Sequence, residues 1–167
     1  RWSGNPAVVQ LEKRLPVDVI DRVIRLGVLA ALEAWDDAQL VEHAFHPERV
    51  GCIVGTSKGG LHTFDAARNT GNWADAWPSA TASRLATLFD IRGLCIAPVA
   101  ACATGVVAIL RGVAAIQAGE CDVVLTGSAD DSLHPGVLAS FQRLGVLARH
   151  SDPTAACRPY DRARNGF

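Results

Sequence analysis

Apolar residues recur every three or four positions near the start of the chain and predict a helix over residues 17 to about 35. Pro16 opens this helix, because a proline in the first turn gives up an N–H group that would have no partner there. On the polar side, acidic residues precede arginines at a spacing that stabilises an exposed helix face. These pairs are Asp18 with Arg22 and Asp21 with Arg25. We expect a surface helix that packs against a sheet.

Three short apolar runs predict β-strands, at residues 50–55, 94–101 and 121–127. The second run contains Pro98, which cannot donate to a β-ladder and so indicates a sheet edge or an irregularity. The helical segment at residues 103–118 is apolar nearly all round, so we expect it to be buried. Strand, helix and strand in such a short stretch predict a βαβ unit, and hence an α/β fold with a parallel sheet. Two shorter helices are predicted over residues 82–88, capped by Ser79 or Thr81, and over residues 137–144.

The composition is that of a globular domain, with 167 residues of which 49% are hydrophobic and 20% are charged. A net charge of -1 argues against a nucleic-acid-binding module, because phosphate binding needs a basic surplus. No apolar run is long enough to cross a bilayer, and no secretory leader is present, so no membrane partner is expected. The chain contains no methionine and ends abruptly at Phe167, so we expect it to be a piece of a longer protein, truncated at both ends.

The five cysteines form neither a C-x-x-C pair nor a Cys/His cluster with zinc-site spacing. We therefore expect reduced, cytoplasmic thiols and no metal site. Four of these cysteines lie in strand-like runs or in a loop and are interpreted as unreactive: Cys52, Cys95, Cys121 and Cys157.

Cys102 differs from the other cysteines, because it lies between small residues where a strand turns into a helix. Serine hydrolases place their nucleophile at a similar strand-to-helix turn. The helix N-terminus favours a thiolate, and its N–H groups are suited to bind a developing oxyanion. The alternative is that Cys102 is a small buried hydrophobe. No histidine is placed to assist it, and all five are interpreted as surface or loop residues: His43, His46, His62, His134 and His150.

The sequence around this cysteine, Ala-Cys-Ala-Thr-Gly at residues 101–105, is followed by the apolar helix and by Gly119-Glu-Cys-Asp-Val-Val-Leu-Thr-Gly. It resembles the active-site region of β-ketoacyl-acyl-carrier-protein synthases, the decarboxylating condensing enzymes of fatty acid and polyketide synthesis. Upstream, Val-Gly-x-Ile-Val-Gly-Thr at residues 50–56 is also similar to the family. Downstream, the similarity continues through Arg-Pro-Tyr-Asp at residues 158–161 and ends with Asn165-Gly-Phe. The resemblance covers nearly the whole chain in order.

The resemblance implies an α/β, thiolase-like fold with a mixed sheet and buried helices, in which two similar halves form a five-layered α/β/α/β/α sandwich. Residues 1–167 then correspond to the N-terminal domain, most of the first half. In this family the strand before the nucleophile pairs across a two-fold axis. Residues 94–101 are therefore expected at the interface of a homodimer, which suits an edge strand containing Pro98.

The resemblance also implies a reaction. Cys102 matches the nucleophile that accepts an acyl group from an acyl carrier protein or a coenzyme A thioester. Malonyl-carrier protein then loses carbon dioxide, and its carbanion attacks the acyl-enzyme. The Cys102 N–H is expected to supply one oxyanion donor, and Phe141 matches a residue near the acyl channel, a core aromatic being the alternative. No cofactor is implied beyond the phosphopantetheine of the carrier protein.

Some family features are absent or altered. The two catalytic histidines and the lysine of the second half have no counterpart here, so the chain alone is expected to be inactive. Ala100 replaces a commoner Thr, Asn165 replaces a frequent Asp, and Ser57-Lys58 interrupts a turn of small residues. Two alternatives remain open: an acyltransferase of the thiolase superfamily that uses coenzyme A thioesters, and a non-catalytic half-domain that assembles with a partner chain.

Acyl carrier proteins are acidic, so a basic docking surface is expected on their partner. Arginines cluster late in the chain, at Arg143, Arg149, Arg158, Arg162 and Arg164. Because Asp152 and Asp161 lie among them, a solvated loop is the preferred interpretation.

Overall fold

The structure, a computed structural model, describes residues 21–40, 45–71 and 73–167. The described residues divide into two compact units, with the boundary between Asp131 and Ser132. The first unit holds three strands and four α-helices in its described part: α1 (Arg22–Asp37), β1 (Val50–Gly55), α2 (Leu61–Thr70), α3 (Ala80–Leu88), β2 (Cys95–Ile96), α4 (Thr104–Gln117) and β3 (Val123–Ser128). The second unit contains α5 (Pro135–Leu144). Short 3₁₀ turns occupy Pro47–Arg49, Ala101–Ala103 and Pro153–Ala155.

The three strands form a parallel sheet in the order β2-β1-β3. β1 pairs with β3 from Val50↔Val123 to Gly55↔Ser128, and all six of its residues are buried. The predicted parallel pairing and the strand over residues 50–55 are therefore confirmed. The mixed sheet that the resemblance implies needs an antiparallel pair, and all pairs among the described strands are parallel. Because β2 and β3 flank β1, the connection through α4 crosses over the central strand.

The predicted strand over residues 94–101 is wrong in its length, since only Cys95 and Ile96 pair with β1. The chain leaves the sheet before Pro98, which has no N–H group to continue the ladder. This departure brings the following segment round toward α4.

Side chains on the two faces of β1 join two separate apolar clusters, because successive side chains of a strand point to opposite faces of the sheet. On one face, Cys52 and Val54 pack with buried residues of α1 and α3, including Ile24 and Leu85. On the other face, Ile53 packs with Ala108 and Ala115 of α4 and with Cys121. The sheet is thus a middle layer between helices.

The prediction that the 103–118 helix is buried on every side is wrong for the described chain. The residues of α4 that are buried are small or lie at its first turn: Thr104, Ala108, Gly112 and Ala115. Its large apolar side chains are exposed on the far side from the sheet: Val106, Ile109, Leu110, Val113 and Ile116. The small residues allow close packing on β3, since a Cβ at Gly112 would lie 3.3 Å from the Thr126 side chain.

α1 begins at Arg22 because Asp21 has an extended backbone and caps it, accepting a hydrogen bond from the Val23 N–H at 3.0 Å. The second carboxylate oxygen of Asp21 accepts from the Thr63 N–H at 2.8 Å, which links α1 to α2. Asp21 is buried, so its predicted role as an exposed partner of Arg25 is wrong. The predicted start of this helix at residue 17 is wrong, because Asp21 is its N-cap. Residues 16–20, including Pro16 and Asp18, lie outside the described residues.

Arg49 ties the start of β1 to the loop before β3. Its guanidinium donates to the Gly119 carbonyl at 2.7 Å and to both carboxylate oxygens of Asp122, at 2.5 and 3.1 Å. The hydrogen bond from Arg49 holds the pKa of Asp122 below its ordinary value. The Asp122 N–H in turn donates to the Arg49 carbonyl at 2.8 Å, so this contact fixes the register of β1 against β3.

The two shorter helices agree with their predicted positions, although each begins two residues earlier. Ser79 holds the N-cap position of α3, but its side chain makes no capping hydrogen bond. Before α5, the side chain of His134 accepts from the Gly136 N–H at 3.2 Å. None of the described helices is long and apolar enough to cross a membrane.

Candidate active site

Cys102 occupies the middle of the 3₁₀ turn Ala101–Ala103, immediately before α4. The turn is closed by hydrogen bonds from the Ala103 N–H to the Ala100 carbonyl at 3.0 Å and from the Thr104 N–H to the Ala101 carbonyl. The Cys102 side chain is exposed, which does not fit its interpretation as a small buried hydrophobe. Within the described chain, no carbonyl or side chain accepts the Cys102 N–H. The predicted junction therefore presents one thiol and one available amide at the same residue.

Thr104 fixes the shape of this turn through its hydroxyl group. Its Oγ1 accepts from the Ala100 N–H at 3.0 Å and donates to the Ala101 carbonyl at 2.7 Å. The residue is only 3% exposed, so its hydroxyl is shielded from water. Thr104 is not among the site residues predicted from the sequence, although a Thr at the start of a predicted helix is a recognisable signal for a side chain that bonds to backbone.

Ala101, which precedes Cys102, has a φ of 48° and so lies in the left-handed region. A residue with a Cβ is disfavoured there by about 1–2 kcal/mol. The Thr104 hydroxyl bonds to the carbonyl of this same residue and so holds it in place. Backbone strain maintained in this way is common next to reactive groups.

The ends of two strands lie beneath the turn. A Cβ on Gly55, the last residue of β1, would collide with the Pro98 carbonyl and the Thr104 methyl group. A Cβ on Gly105 would lie 2.8 Å from the Ser128 hydroxyl at the end of β3. Cys102 is therefore presented near the carboxyl ends of parallel strands, where open α/β sheets bind their ligands.

Ser57 and Lys58, which depart from the family pattern, connect two loops at this edge of the sheet. The Ser57 N–H donates to Asp130 at 3.1 Å, and the Ser57 hydroxyl bonds to the same carboxylate. The Lys58 ammonium lies 2.6 Å from the Ser57 hydroxyl and 3.9 Å from Asp130. These interactions connect the turn after β1 to the segment that follows β3.

Three of the described histidines contact other groups of the protein. His62 lies 3.4 Å from Asp131, a carboxylate whose side chain is 4% exposed and which also lies 3.6 Å from Arg22. His134 caps α5, and the His150 ring contacts the backbone of Asp152. His46 precedes the first 3₁₀ turn, and His43 lies outside the described residues.

The other four cysteines have different surroundings. Cys52 and Cys121 are buried, whereas Cys95 and Cys157 are exposed. Burial raises the pKa of Cys52 to about 12, and partial burial raises the pKa of Cys95. A raised pKa lowers the thiolate fraction near neutral pH, so both should react more slowly than an unperturbed thiol.

Phe141 belongs to the second unit, where its half-buried ring packs edge-on against Phe167 with centroids 5.2 Å apart. Its assignment to the acyl channel stays a prediction.

Two of the late arginines bond to loop backbone: Arg158 to the Ala163 carbonyl at 2.8 Å and Arg164 to the Asp161 carbonyl at 3.0 Å. Arg164 is exposed, which agrees with the interpretation of a solvated loop, whereas Arg158 is half-buried.

Among residues 21–40, 45–71 and 73–167, no group of three or more His, Cys, Asp or Glu side chains is arranged to hold a metal ion.

Solved structures define the class of fold. A β-ketoacyl synthase from Burkholderia phymatum STM815 is similar, with a TM-score of 0.77 and 26% identity over 88% of this chain and 39% of that one. The ketosynthase complex described as "AntDE:AntF (apo): type II PKS acyl-carrier protein in complex with its ketosynthase bound to the hexaketide" also has a TM-score of 0.77. It shares 22% identity over 87% of this chain and 40% of that one. The predicted partial thiolase-like α/β fold is confirmed.

Residues 8–167 match the family described as "Beta-ketoacyl synthase, N-terminal domain", and the chain belongs to this family. It is 28% identical to 3-oxoacyl-[acyl-carrier-protein] synthase 2 of Staphylococcus aureus, over 89% of this chain and 40% of that protein. It is 30% identical to a putative polyketide β-ketoacyl synthase 1 of Streptomyces halstedii, over 88% of this chain and 39% of that protein. The chain thus spans about two fifths of the length of the curated relatives it matches.

Proposed function

We propose that the protein carrying this chain catalyses a decarboxylating Claisen condensation of an acyl thioester with malonyl-acyl-carrier protein, and that Cys102 is its nucleophile. Membership of the β-ketoacyl synthase family supports the general reaction, in fatty acid or polyketide synthesis. The exposed position of the Cys102 thiol at the start of α4 is the observation that carries the assignment to this residue.

The first half-reaction is acyl transfer to the sulfur. The Cys102 thiolate attacks the thioester carbonyl, and the phosphopantetheine thiol leaves as the acyl-enzyme forms. The Cys102 N–H, which has no acceptor within the described chain, donates to the oxyanion of the tetrahedral intermediate. The positive end of the α4 dipole favours both the thiolate and this oxyanion.

The second half-reaction forms the carbon–carbon bond. Malonyl-carrier protein loses carbon dioxide, and the resulting carbanion attacks the acyl thioester on Cys102. The new bond releases the thiol of Cys102 and leaves a β-ketoacyl product on the carrier protein. The catalytic histidines that support decarboxylation in this family have no match in this chain, so we expect residues 1–167 alone to be inactive.

The proposed partners follow from the same reaction. An acyl carrier protein delivers both substrates on its phosphopantetheine, and the enzyme needs no cofactor of its own. A solved ketosynthase with a similar fold is described in complex with such a carrier protein. We also propose that the protein is a cytoplasmic homodimer that pairs through β2, because β2 lies at the end of the strand order and pairs with β1 on one side.

Thiol labelling tests the assignment of Cys102. Near neutral pH we expect iodoacetamide or cerulenin to modify Cys102 before the other four cysteines, because it is exposed at a helix N-terminus. Peptide mass spectrometry over a time course measures the order of labelling, and a Cys157→Ser variant is a control that removes another exposed thiol. Uniform labelling, or none at Cys102, would instead favour a non-catalytic half-domain.

A second measurement separates condensation from simple acyl transfer. With acyl- and malonyl-carrier proteins, the protein should release carbon dioxide in proportion to product, and Cys102→Ala should abolish the product. Acyl transfer from coenzyme A thioesters without carbon dioxide release would support the alternative acyltransferase.

A further inference from the structure

Cys52 of β1 and Cys95 of β2 face each other directly in the parallel sheet. They are register partners, and the Cys52 N–H donates to the carbonyl of Leu94 at 2.7 Å. Partner residues of neighbouring strands extend their side chains from the same face of the sheet. The two thiols therefore lie side by side.

The surroundings of the two sulfurs differ. Cys52 is fully buried in the apolar cluster between β1 and helices α1 and α3. Its Sγ donates to the Ala82 carbonyl at 3.6 Å, whereas Cys95 is exposed. Neighbouring strands lie about 4.8 Å apart, which is within the Cα separation of about 4.4–6.8 Å that a disulfide spans. The Cα spacing of this register pair thus fits a disulfide.

We propose that Cys52 and Cys95 form an intrachain disulfide when the protein meets a peroxide, so that the chain carries an oxidation site separate from Cys102. Cys95 is the accessible thiol of the pair, and its raised pKa makes its reaction slower than that of an unperturbed thiol. Its sulfur attacks the peroxide, the O–O bond breaks, and a sulfenic acid and one water form. The Cys52 sulfur then attacks the Cys95 sulfur, the S–O bond breaks, and a second water leaves with the Cys52 proton. Two thiols lose two electrons in total, and one hydrogen peroxide is reduced to two waters.

The disulfide joins β2 to the sheet covalently. In the reduced protein, β2 is held to β1 by two register pairs, and the chain runs from β2 through Pro98 to the turn of Cys102. Crosslinking limits opening of this edge, so the oxidised protein should have a higher Tm than the reduced one, and dithiothreitol should reverse the increase.

Non-reducing peptide mapping of the native protein after treatment with hydrogen peroxide tests the proposal. Trypsin, which cleaves after Lys and Arg, releases Cys52 in peptide 50–58 and Cys95 in peptide 93–111, which also contains Cys102. We expect these two peptides to be joined with the loss of two hydrogen atoms. The link should disappear in Cys95→Ser but persist in Cys102→Ser and in Cys121→Ser, a control that removes a buried thiol from the other face of the sheet.

Three outcomes would overturn the proposal. The first is a link that survives Cys95→Ser and disappears in Cys102→Ser, because Cys52 would then pair with the proposed nucleophile. The second is a Cys95 sulfinic acid together with a free Cys52 in protein whose circular dichroism is native. The third is a link between two copies through Cys95, which would appear as a covalent dimer on a non-reducing gel.

Discussion

Thr104 determines the geometry of the Cys102 turn through a single hydroxyl group. Replacing it with Val keeps the shape of the side chain but removes the acceptor of the Ala100 N–H and one of the two hydrogen bonds to the Ala101 carbonyl. Each lost hydrogen bond costs about 0.5–1.5 kcal/mol, so Thr104→Val should lower the free energy of unfolding by about 1–3 kcal/mol. Denaturant unfolding measures the loss.

Thr104→Ser is the matched control, because it retains the hydroxyl and should stay close to the wild-type stability. We also expect Thr104→Val to slow the labelling of Cys102, since the turn no longer holds Ala101 in its left-handed conformation. Equal stability and equal labelling rates in the Val and Ser variants would show that the hydroxyl does not organise the turn.

At the scale of residues, the sequence predicts which cysteine is distinctive but not how its turn is built. The small neighbours of Cys102 are visible in the sequence, and they predict a strand-to-helix junction. The left-handed conformation of Ala101 is not predictable, because an alanine rarely adopts it. Asp21 shows the same limit: local spacing suggests an exposed pair with Arg25, whereas the contact with Thr63 depends on how α2 packs.

Gly55 determines how closely β1 approaches the segment that leads to Cys102. A Cβ there would meet the Pro98 carbonyl, which is backbone and cannot move independently, and the buried Thr104 methyl group. Gly55→Ala should therefore destabilise the fold by about 1–3 kcal/mol, the usual cost of overpacking. Thermal unfolding followed by circular dichroism measures this effect.

Gly136→Ala is the control for this prediction. An added Cβ at Gly136 would meet the His134 ring at 3.4 Å, an ordinary contact, and Ala is a better helix former. Its Tm should equal or exceed that of the wild type. A Gly55→Ala protein as stable as Gly136→Ala would mean that the strand end and the Cys102 segment do not pack as closely as described.

At the scale of elements, hydrophobic pattern predicts the existence and type of elements better than their extent. Residues 50–55 form a strand with the predicted bounds, because every side chain of this central strand is buried. Residues 94–101 are equally apolar, yet only two of them pair, because Pro98 and the route to α4 take the chain out of the sheet. The apolar pattern does not distinguish a strand from an apolar loop that packs near the sheet.

At the scale of the molecule, α4 shows why burial cannot be read from one stretch of sequence. The helix is apolar nearly all round, and the described chain covers only the face with small residues. Whether the opposite face is buried depends on whatever packs there, and this chain spans about two fifths of the length of its curated relatives. The position of the helix is predictable from its own residues, but its second partner is not.

The exposed apolar face of α4 leads to opposite expectations for residues 1–167 alone and for the full-length protein. Val106 and Leu110 are 62% and 63% exposed, and three more large apolar residues lie on the same helix. Contiguous apolar surface of this kind drives association, so residues 1–167 expressed alone should self-associate. Val106→Lys with Leu110→Lys should shift the chain toward the monomer, as measured by size-exclusion chromatography with light scattering.

A control adds the same charge elsewhere on the helix. Gln117→Lys with Ala118→Lys places two lysines at exposed positions near the C-terminal end of α4, and should leave the association unchanged if apolar contact drives it. In the full-length protein, we expect the Val106 and Leu110 variant to have the opposite effect and to lower the Tm, because burying two lysines without partners is costly. A wild-type chain that is monomeric at high concentration, or a full-length variant with an unchanged Tm, would show that this face of α4 has no apolar partner.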